Sequence, residues 1–244
     1  MRNQFAKTSN VKAFMGAYSR VEDRGAREAS WLFVGGVPGL GKTRTVMWFG
    51  LQIGAVYVRA KANWNTSWML QEIATELGLD AGGRIKDLFA QVLGSLASSG
   101  RHLIIDEARN LLHDVKLLET LRDLSDTSEA VIILSGEDFV LKRLTTRYPQ
   151  IRSRITETVE FRPASIDDVR LVCDELCEIK VADDLVAEIH KQSRGFLREV
   201  KNAVANVERF GKSQGVTSID LGAVAGRQLC QDRDDARTRQ RAGL

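Results

Sequence analysis

The sequence predicts an α/β fold: a five-stranded parallel sheet sandwiched by helices, followed by a small all-helical domain. Three observations predict it. Short apolar, β-branched runs alternate with longer helical patterns, the rhythm of a parallel sheet whose crossovers are helices. A glycine-rich turn joins the first apolar run directly to a helical pattern. After Phe161 the strand signal stops and helical patterns take over.

Taken in order, Thr8-Ser9-Asn10-Val11 opens an N-terminal helix. Strands are expected at 31–35, 55–59, 102–105, 130–135 and 158–161, where apolar and β-branched residues run together. Helices are expected between them at 42–53, 66–77, 85–98, 115–124 and 139–147, joined by the short connections such a sheet uses. Pro163 then breaks the chain, and Ser165 followed by Asp168 reads as a helix-starting cap box. Helical patterns continue at 166–179, 184–192, 197–210 and 219–229. The organisation expected is therefore an N-terminal helical segment 1–30, an αβα domain 31–163, a helical domain 164–230 and a flexible charged tail 231–244. No internal repeat or low-complexity tract interrupts it.

Apolar residues make up 43% and charged residues 27% of the 244 residues, a globular composition that excludes general disorder. No stretch approaches the roughly 20 apolar residues that span a bilayer, and the polar N-terminal segment has no apolar leader core. A cytoplasmic protein without membrane partners is expected. Cys173, Cys177 and Cys230 make no disulfide framework, and no neighbouring ligand cluster completes a zinc site, so buried or half-buried thiols are expected. The net charge of +3 permits nucleic-acid contact without requiring it, although arginine is concentrated in 142–162 and at the C-terminal end.

Gly36-Val37-Pro38-Gly39-Leu40-Gly41-Lys42-Thr43 fits the pattern Gly, four residues, Gly-Lys-Thr, between a strand and a helix. Glycines there let successive backbone N–H groups turn inward on phosphate oxygens, and the helix N-terminus adds partial positive charge. Lys42 would reach the β- and γ-phosphates, Thr43 would coordinate Mg²⁺, and Arg44 comes next at the helix start. His102-Leu103-Ile104-Ile105-Asp106-Glu107 is an apolar strand ending in two carboxylates. Asp106 suits a direct or second-shell Mg²⁺ ligand and Glu107 can orient or deprotonate water; without a phosphate loop the pair could simply cap a helix. The strand at 130–135 ends on Ser135, either a water-orienting side chain or a plain turn residue.

Together these residues resemble the AAA+ superfamily and, within it, the DNA-transposition ATPases of the phage Mu B, TnsC and IstB group. The resemblance implies a P-loop AAA+ sheet with a helical lid, ATP and Mg²⁺ as cofactors, and ATPase activity. It implies that Ser135 is sensor 1, that Arg154 (or Arg152) is an arginine finger acting on a neighbouring subunit, and that Arg198, in Gly195-Phe196-Leu197-Arg198, is sensor 2. The narrower likeness rests on Thr8–Val11, on Gly54-Ala55-Val56-Tyr57-Val58-Arg59-Ala60, on Asn63-Trp64 and on Trp68-Met69-Leu70. It implies ATP-dependent homo-oligomers or helical filaments on double-stranded DNA with little sequence preference, and a transposase partner that receives target DNA. The phage Mu B protein carries an extra N-terminal helix-turn-helix domain, whereas about thirty residues precede the first strand here, so functions of that domain do not carry over.

DNA contacts are expected from Arg59, Lys61 and Asn63 in the loop after the second strand, and from Arg109. Trp64 and Trp68, at i and i+4, are expected to pack in the core rather than stack on bases. The alternatives are a replication initiator or helicase loader, which shares the nucleotide motifs, and a P-loop small-molecule kinase. A GTPase is disfavoured because no Asn-Lys-x-Asp motif occurs.

Overall fold

The structure, a computed structural model, describes residues 1–230; the charged tail read at 231–244 lies outside the described residues. By internal contacts the chain divides into two compact units, Val11–Phe161 and a second made of Met1–Asn10 with the segment that begins at Arg162.

The first unit holds a five-stranded sheet of β1 (Trp31–Gly35), β2 (Val56–Arg59), β3 (Leu103–Asp106), β4 (Ile132–Ser135) and β5 (Ile155–Glu160). All pairings are parallel, in the order β2-β3-β4-β1-β5. Composition explains the order. The three inner strands are buried along their whole length and are apolar almost throughout, as strands covered on both faces must be. The outer strands, Val-Tyr-Val-Arg and Ile-Thr-Glu-Thr-Val-Glu, carry polar residues that become exposed at the edges. The same polar residues mask the first half of β5 in the sequence, where the strand signal covers only 158–161. A register shift at Trp31/Leu32 accommodates its start.

Helices cover both faces. On one face α2 (Lys42–Ile53) lies so close to β3 that a Cβ on Gly50 would meet Ile104 Cδ1 at 2.8 Å. Outside it, α1 (Ser9–Glu22) packs Phe14 edge-on against Phe49 with ring centroids 5.0 Å apart. On the other face α3 (Thr66–Glu76), α4 (Ile85–Ser99), α5 (Val115–Ser128), α6 (Asp138–Arg147) and α7 (Pro149–Arg152) enclose a core that includes Trp31, Phe33, Met69, Leu103 and Leu134. Trp64 is buried and Trp68 packs against the same core, as their spacing predicted. The Trp31 indole N–H, buried with its ring, donates to Ser125 Oγ at 2.9 Å, so its polar edge is satisfied.

The second unit contains α8 (Ile166–Leu176), α9 (Asp183–Ser193) and α10 (Leu197–Ser213). The expected cap box forms: Ser165 Oγ accepts from Asp168 N at 3.1 Å and Asp168 accepts from Ser165 N. Asp168 also accepts from the backbone and hydroxyl of Ser9, tying the N-terminal segment to the start of α8. The helix expected at 219–229 does not form. Instead Ser218–Ile219 (β7) pairs with Lys180–Val181 (β6), and a 3-10 turn covers Gly222–Val224. The buried apolar residues there, Ile219, Val224 and Leu229, are five apart rather than three or four, and Gly222 and Gly226 interrupt the run. Cys173, Cys177 and Cys230 are buried thiols, and burial raises the Cys173 and Cys230 pKa values to about 12 and about 11. Among the described residues no helix is long and apolar enough to cross a membrane.

Candidate active site

Because the strands are parallel, the C-terminal ends of β1, β3 and β4 lie along one edge of the sheet. Register pairs Val34 with Ser135 and Leu134 with Ile105, so the loops leaving Gly35, Asp106 and Ser135 converge there. Open α/β sheets place ligands at this edge.

The loop between β1 and α2 is built on glycine. Gly36 has φ 130°, and a Cβ on it would meet the Phe161 carbonyl oxygen at 2.8 Å; Gly39 and Gly41 both sit at φ 96°. Only glycine holds that path without strain. Val37 and Pro38 are exposed, Leu40 is buried and anchors the loop, and Arg44 points to solvent without a side-chain partner among the described residues. Lys42 Nζ donates to the Gly36 carbonyl at 2.5 Å and to that of Val37 at 3.1 Å. Burial lowers the Lys42 pKa, opposed by Asp106, Asp138, Glu137 and Glu107.

Thr43 and Asp106 meet: Thr43 Oγ1 donates to Asp106 Oδ2 at 2.8 Å. Asp106 is 3% exposed, and Tyr57 OH donates to the same carboxylate oxygen at 3.1 Å. Glu107 adopts φ 55°, ψ 44°, a left-handed conformation that non-glycine residues rarely take. Its carboxylate lies 3.1 Å from Arg59 Nη2 and 3.5 Å from Arg109 Nε. Ser135 is fully buried, and its Oγ has no hydrogen-bond partner among the described residues. A buried hydroxyl left unpaired costs stability, so this one marks a place where a ligand or water would complete the structure. The hydroxyl of Thr43 and the carboxylate of Asp106 are hard oxygen donors of the kind Mg²⁺ takes, and with the glycine cradle they fit a Mg-bound phosphate group.

The structure brings together residues 36–43, Asp106, Glu107 and Ser135. It does not bring Arg154 to them. The Arg154 carbonyl accepts from Trp31 N, at the start of β1, so β1 separates it from the loop by roughly 13 Å of strand. The Arg154 guanidinium is also engaged, with Nη2 2.7 Å and Nε 3.2 Å from the two Asp126 oxygens. Arg152 is exposed and makes no side-chain bond among the described residues. In the second unit Arg198 is exposed on the first turn of α10, also without a side-chain bond among the described residues. Its turn is fixed by Gly195, at φ 73°, where a Cβ would meet the Ala164 carbonyl oxygen at 2.5 Å.

The residues expected to touch DNA are mostly committed elsewhere. Arg59 pairs with Glu107, Lys61 with Glu72 while lying 4.9 Å from the Trp68 ring centroid, and Arg109 with Glu107 and Glu137. Asn63 is exposed. Sequence reasoning missed Tyr57. Alternation in Val-Tyr-Val-Arg puts Tyr57 on the face of Arg59, but nothing in that run names Asp106 as its partner.

With this geometry in view, residues 26–144 match the family model described as AAA domain. None of the curated proteins matches the chain. Among solved structures, the Aeropyrum pernix ORC2 protein, in ADPNP–ADP complexes, is similar with a TM-score of 0.73 at 16% identity, over 91% of this chain and 68% of that one. CDC6P from Pyrobaculum aerophilum gives 0.65 at 17% identity over the same shares, 91% and 68%. The A. pernix ORC1 protein in complex with DNA gives 0.58 at 13% identity over 96% of this chain and 64% of that one. At such identities the likeness is one of fold. Sheet order, glycine loop and the match over residues 26–144 agree: this chain has the P-loop AAA+ fold, and residues 26–144 match the AAA domain model.

Proposed function

We propose that the protein is a Mg²⁺-dependent ATPase that assembles on double-stranded DNA and uses nucleotide state to control that assembly. The observation that carries the reading is the Thr43–Asp106 hydrogen bond, which joins the glycine loop to the tip of the acidic strand, with Glu107 next in the chain. Loop N–H groups and Lys42 would bind the phosphates. Thr43 and Asp106 would hold Mg²⁺, which supplies charge neutralisation on the transferred phosphoryl group. Glu107 would accept the proton of the attacking water, and the Ser135 hydroxyl would orient that water. Arg198 would respond to the γ-phosphate from the helical unit, and Arg154 or Arg152 would stabilise charge in a neighbouring subunit's site.

Two biological uses fit this machine. The resemblance at Thr8–Val11 and 54–70 supports delivery of target DNA to a transposase. The fold likeness to ORC2 and CDC6P supports a replication initiator or helicase loader at least as well. Electron microscopy of the protein with a non-hydrolysable ATP analogue and random duplex DNA separates them. Continuous filaments on DNA are expected for the transposition reading, closed or cracked rings for the initiator. Monomers under all conditions, with no ATP hydrolysis, would overturn both.

A further inference from the structure

We propose that Tyr57, on strand β2, is a positioning residue for the magnesium site: its hydroxyl fixes the Asp106 carboxylate so that one oxygen is kept for the cation. The inference rests on the reading above, in which Asp106 is a ligand of nucleotide-bound Mg²⁺.

Acceptor capacity is the starting point. Asp106 Oδ2 takes two hydrogen bonds, from Thr43 Oγ1 at 2.8 Å and Tyr57 OH at 3.1 Å. Two donors fill the two lone-pair directions of one carboxylate oxygen. Oδ1 accepts no hydrogen bond among the described residues, so the carboxylate is held by one atom and offers the other. Thr43 Oγ1 is itself a prospective cation ligand, able to offer a lone pair to the cation while its one proton goes to Asp106. Tyr57 has no such second duty. Its strand is in register with the acidic one, Arg59 opposite Asp106 and Tyr57 opposite Ile104, so the ring approaches from a fixed neighbour. The same strand carries Arg59, paired with Glu107; β2 thus sends one donor to each of the two acids.

A tyrosine that only filled space would influence stability and not metal affinity, and the test separates the two. Binding of a fluorescent ATP analogue is titrated with Mg²⁺, and separately in excess EDTA, for the wild type, Tyr57→Phe and Asp106→Asn. Losing a hydrogen bond to a charged acceptor should raise the Mg²⁺ concentration giving half-maximal enhancement by about tenfold in Tyr57→Phe. Affinity in EDTA should be unchanged. Asp106→Asn should abolish the Mg²⁺ enhancement, and adding Tyr57→Phe to it should change nothing further. Replacing Tyr57 by 3-fluorotyrosine, which keeps the hydroxyl, should restore wild-type Mg²⁺ dependence, and circular dichroism establishes the temperature at which each variant is folded. A Tyr57→Phe protein with wild-type Mg²⁺ dependence, beside an Asp106→Asn protein that has lost it, overturns the role of Tyr57 and leaves the site standing. An Asp106→Asn protein with intact Mg²⁺ dependence overturns the site and this inference with it. Failure of fluorotyrosine to rescue a folded protein also counts against the hydroxyl.

Discussion

In the proposed mechanism Lys42 and Glu107 divide binding from chemistry. Lys42 is the flexible cation of the glycine loop, and the carbonyls it touches are weaker acceptors than a triphosphate. Lys42→Ala should weaken nucleotide binding by about thirtyfold or more, read by fluorescence titration. Glu107 touches nothing in the loop; its carboxylate is held between Arg59 and Arg109. Glu107→Gln keeps the shape and removes the proposed base, so ATP binding should persist while turnover falls by about 10²- to 10⁴-fold. Normal turnover in a folded Glu107→Gln protein would remove the residue from its proposed role. These residues were legible because their chemistry is tied to chain order: a strand, a glycine turn and a lysine must be contiguous. Tyr57 was not, since its partner Asp106 is 49 residues away and only the folded sheet brings them together. The Arg154–Asp126 pair was hidden for the same reason.

At the scale of elements, apolar continuity located the inner strands and the helix after the loop, because burial on both faces leaves little choice of residue. It failed where burial is partial: the edge strand β5 runs Thr-Glu-Thr after Ile155, polar residues that hide its first half, and the segment 219–229 buries isolated apolar residues without a helical face. The cap of α8 was legible as Ser165 and Asp168, but its second use was not. Asp168 also receives the backbone and side chain of Ser9. Burial alone would raise the Asp168 pKa; the bonds from Ser9 and Ser165 outweigh it and hold the group below its ordinary value. A carboxylate whose folded pKa is depressed adds stability that is complete above the unfolded pKa, near 3.9, and is lost as pH falls through the folded one. Asp168→Asn should therefore lower the melting temperature at pH 7 and flatten its fall below about pH 4. Asp168→Ala should cost about 2 kcal/mol in denaturant unfolding, from the lost reciprocal half of the cap box and the unpaired Ser9 N–H. An unchanged acid limb in Asp168→Asn would show that the Ser9–Asp168 link does not contribute in solution.

For the molecule as a whole, a net charge of +3 gives little reason for strong DNA binding by one copy, and the three cations expected to meet DNA, Arg59, Lys61 and Arg109, are already paired with acids. Weak contacts repeated along a filament add without any strong single site. Binding to random duplex should therefore require ATP, strengthen with DNA length and fall steeply with salt, by a slope of about −0.9 per phosphate neutralised. Equal affinity with and without nucleotide would undercut assembly on DNA. The placement of Arg154 sharpens the oligomer argument. It sits at the start of β1 while the glycine loop sits at its end, so neither it nor its neighbour Arg152 serves as a finger for the loop of the same chain; a finger from this segment must act on another copy. Arg152 is unengaged among the described residues, whereas Arg154 would have to leave Asp126 first. Arg152→Ala should therefore lose turnover at unchanged melting temperature, while Arg154→Ala should lose stability as well. Mixing either inactive arginine variant with Lys42→Ala tests the sharing directly: each copy lacks what the other supplies. A head-to-tail interface that joins an intact loop to an intact arginine arises in about a quarter of random pairings at equal mixing. ATPase activity should recover toward that fraction of wild type and peak at the equimolar ratio. Activity that stays at the sum of the two separate variants, at every ratio, would mean that no arginine of this segment completes a neighbour's site.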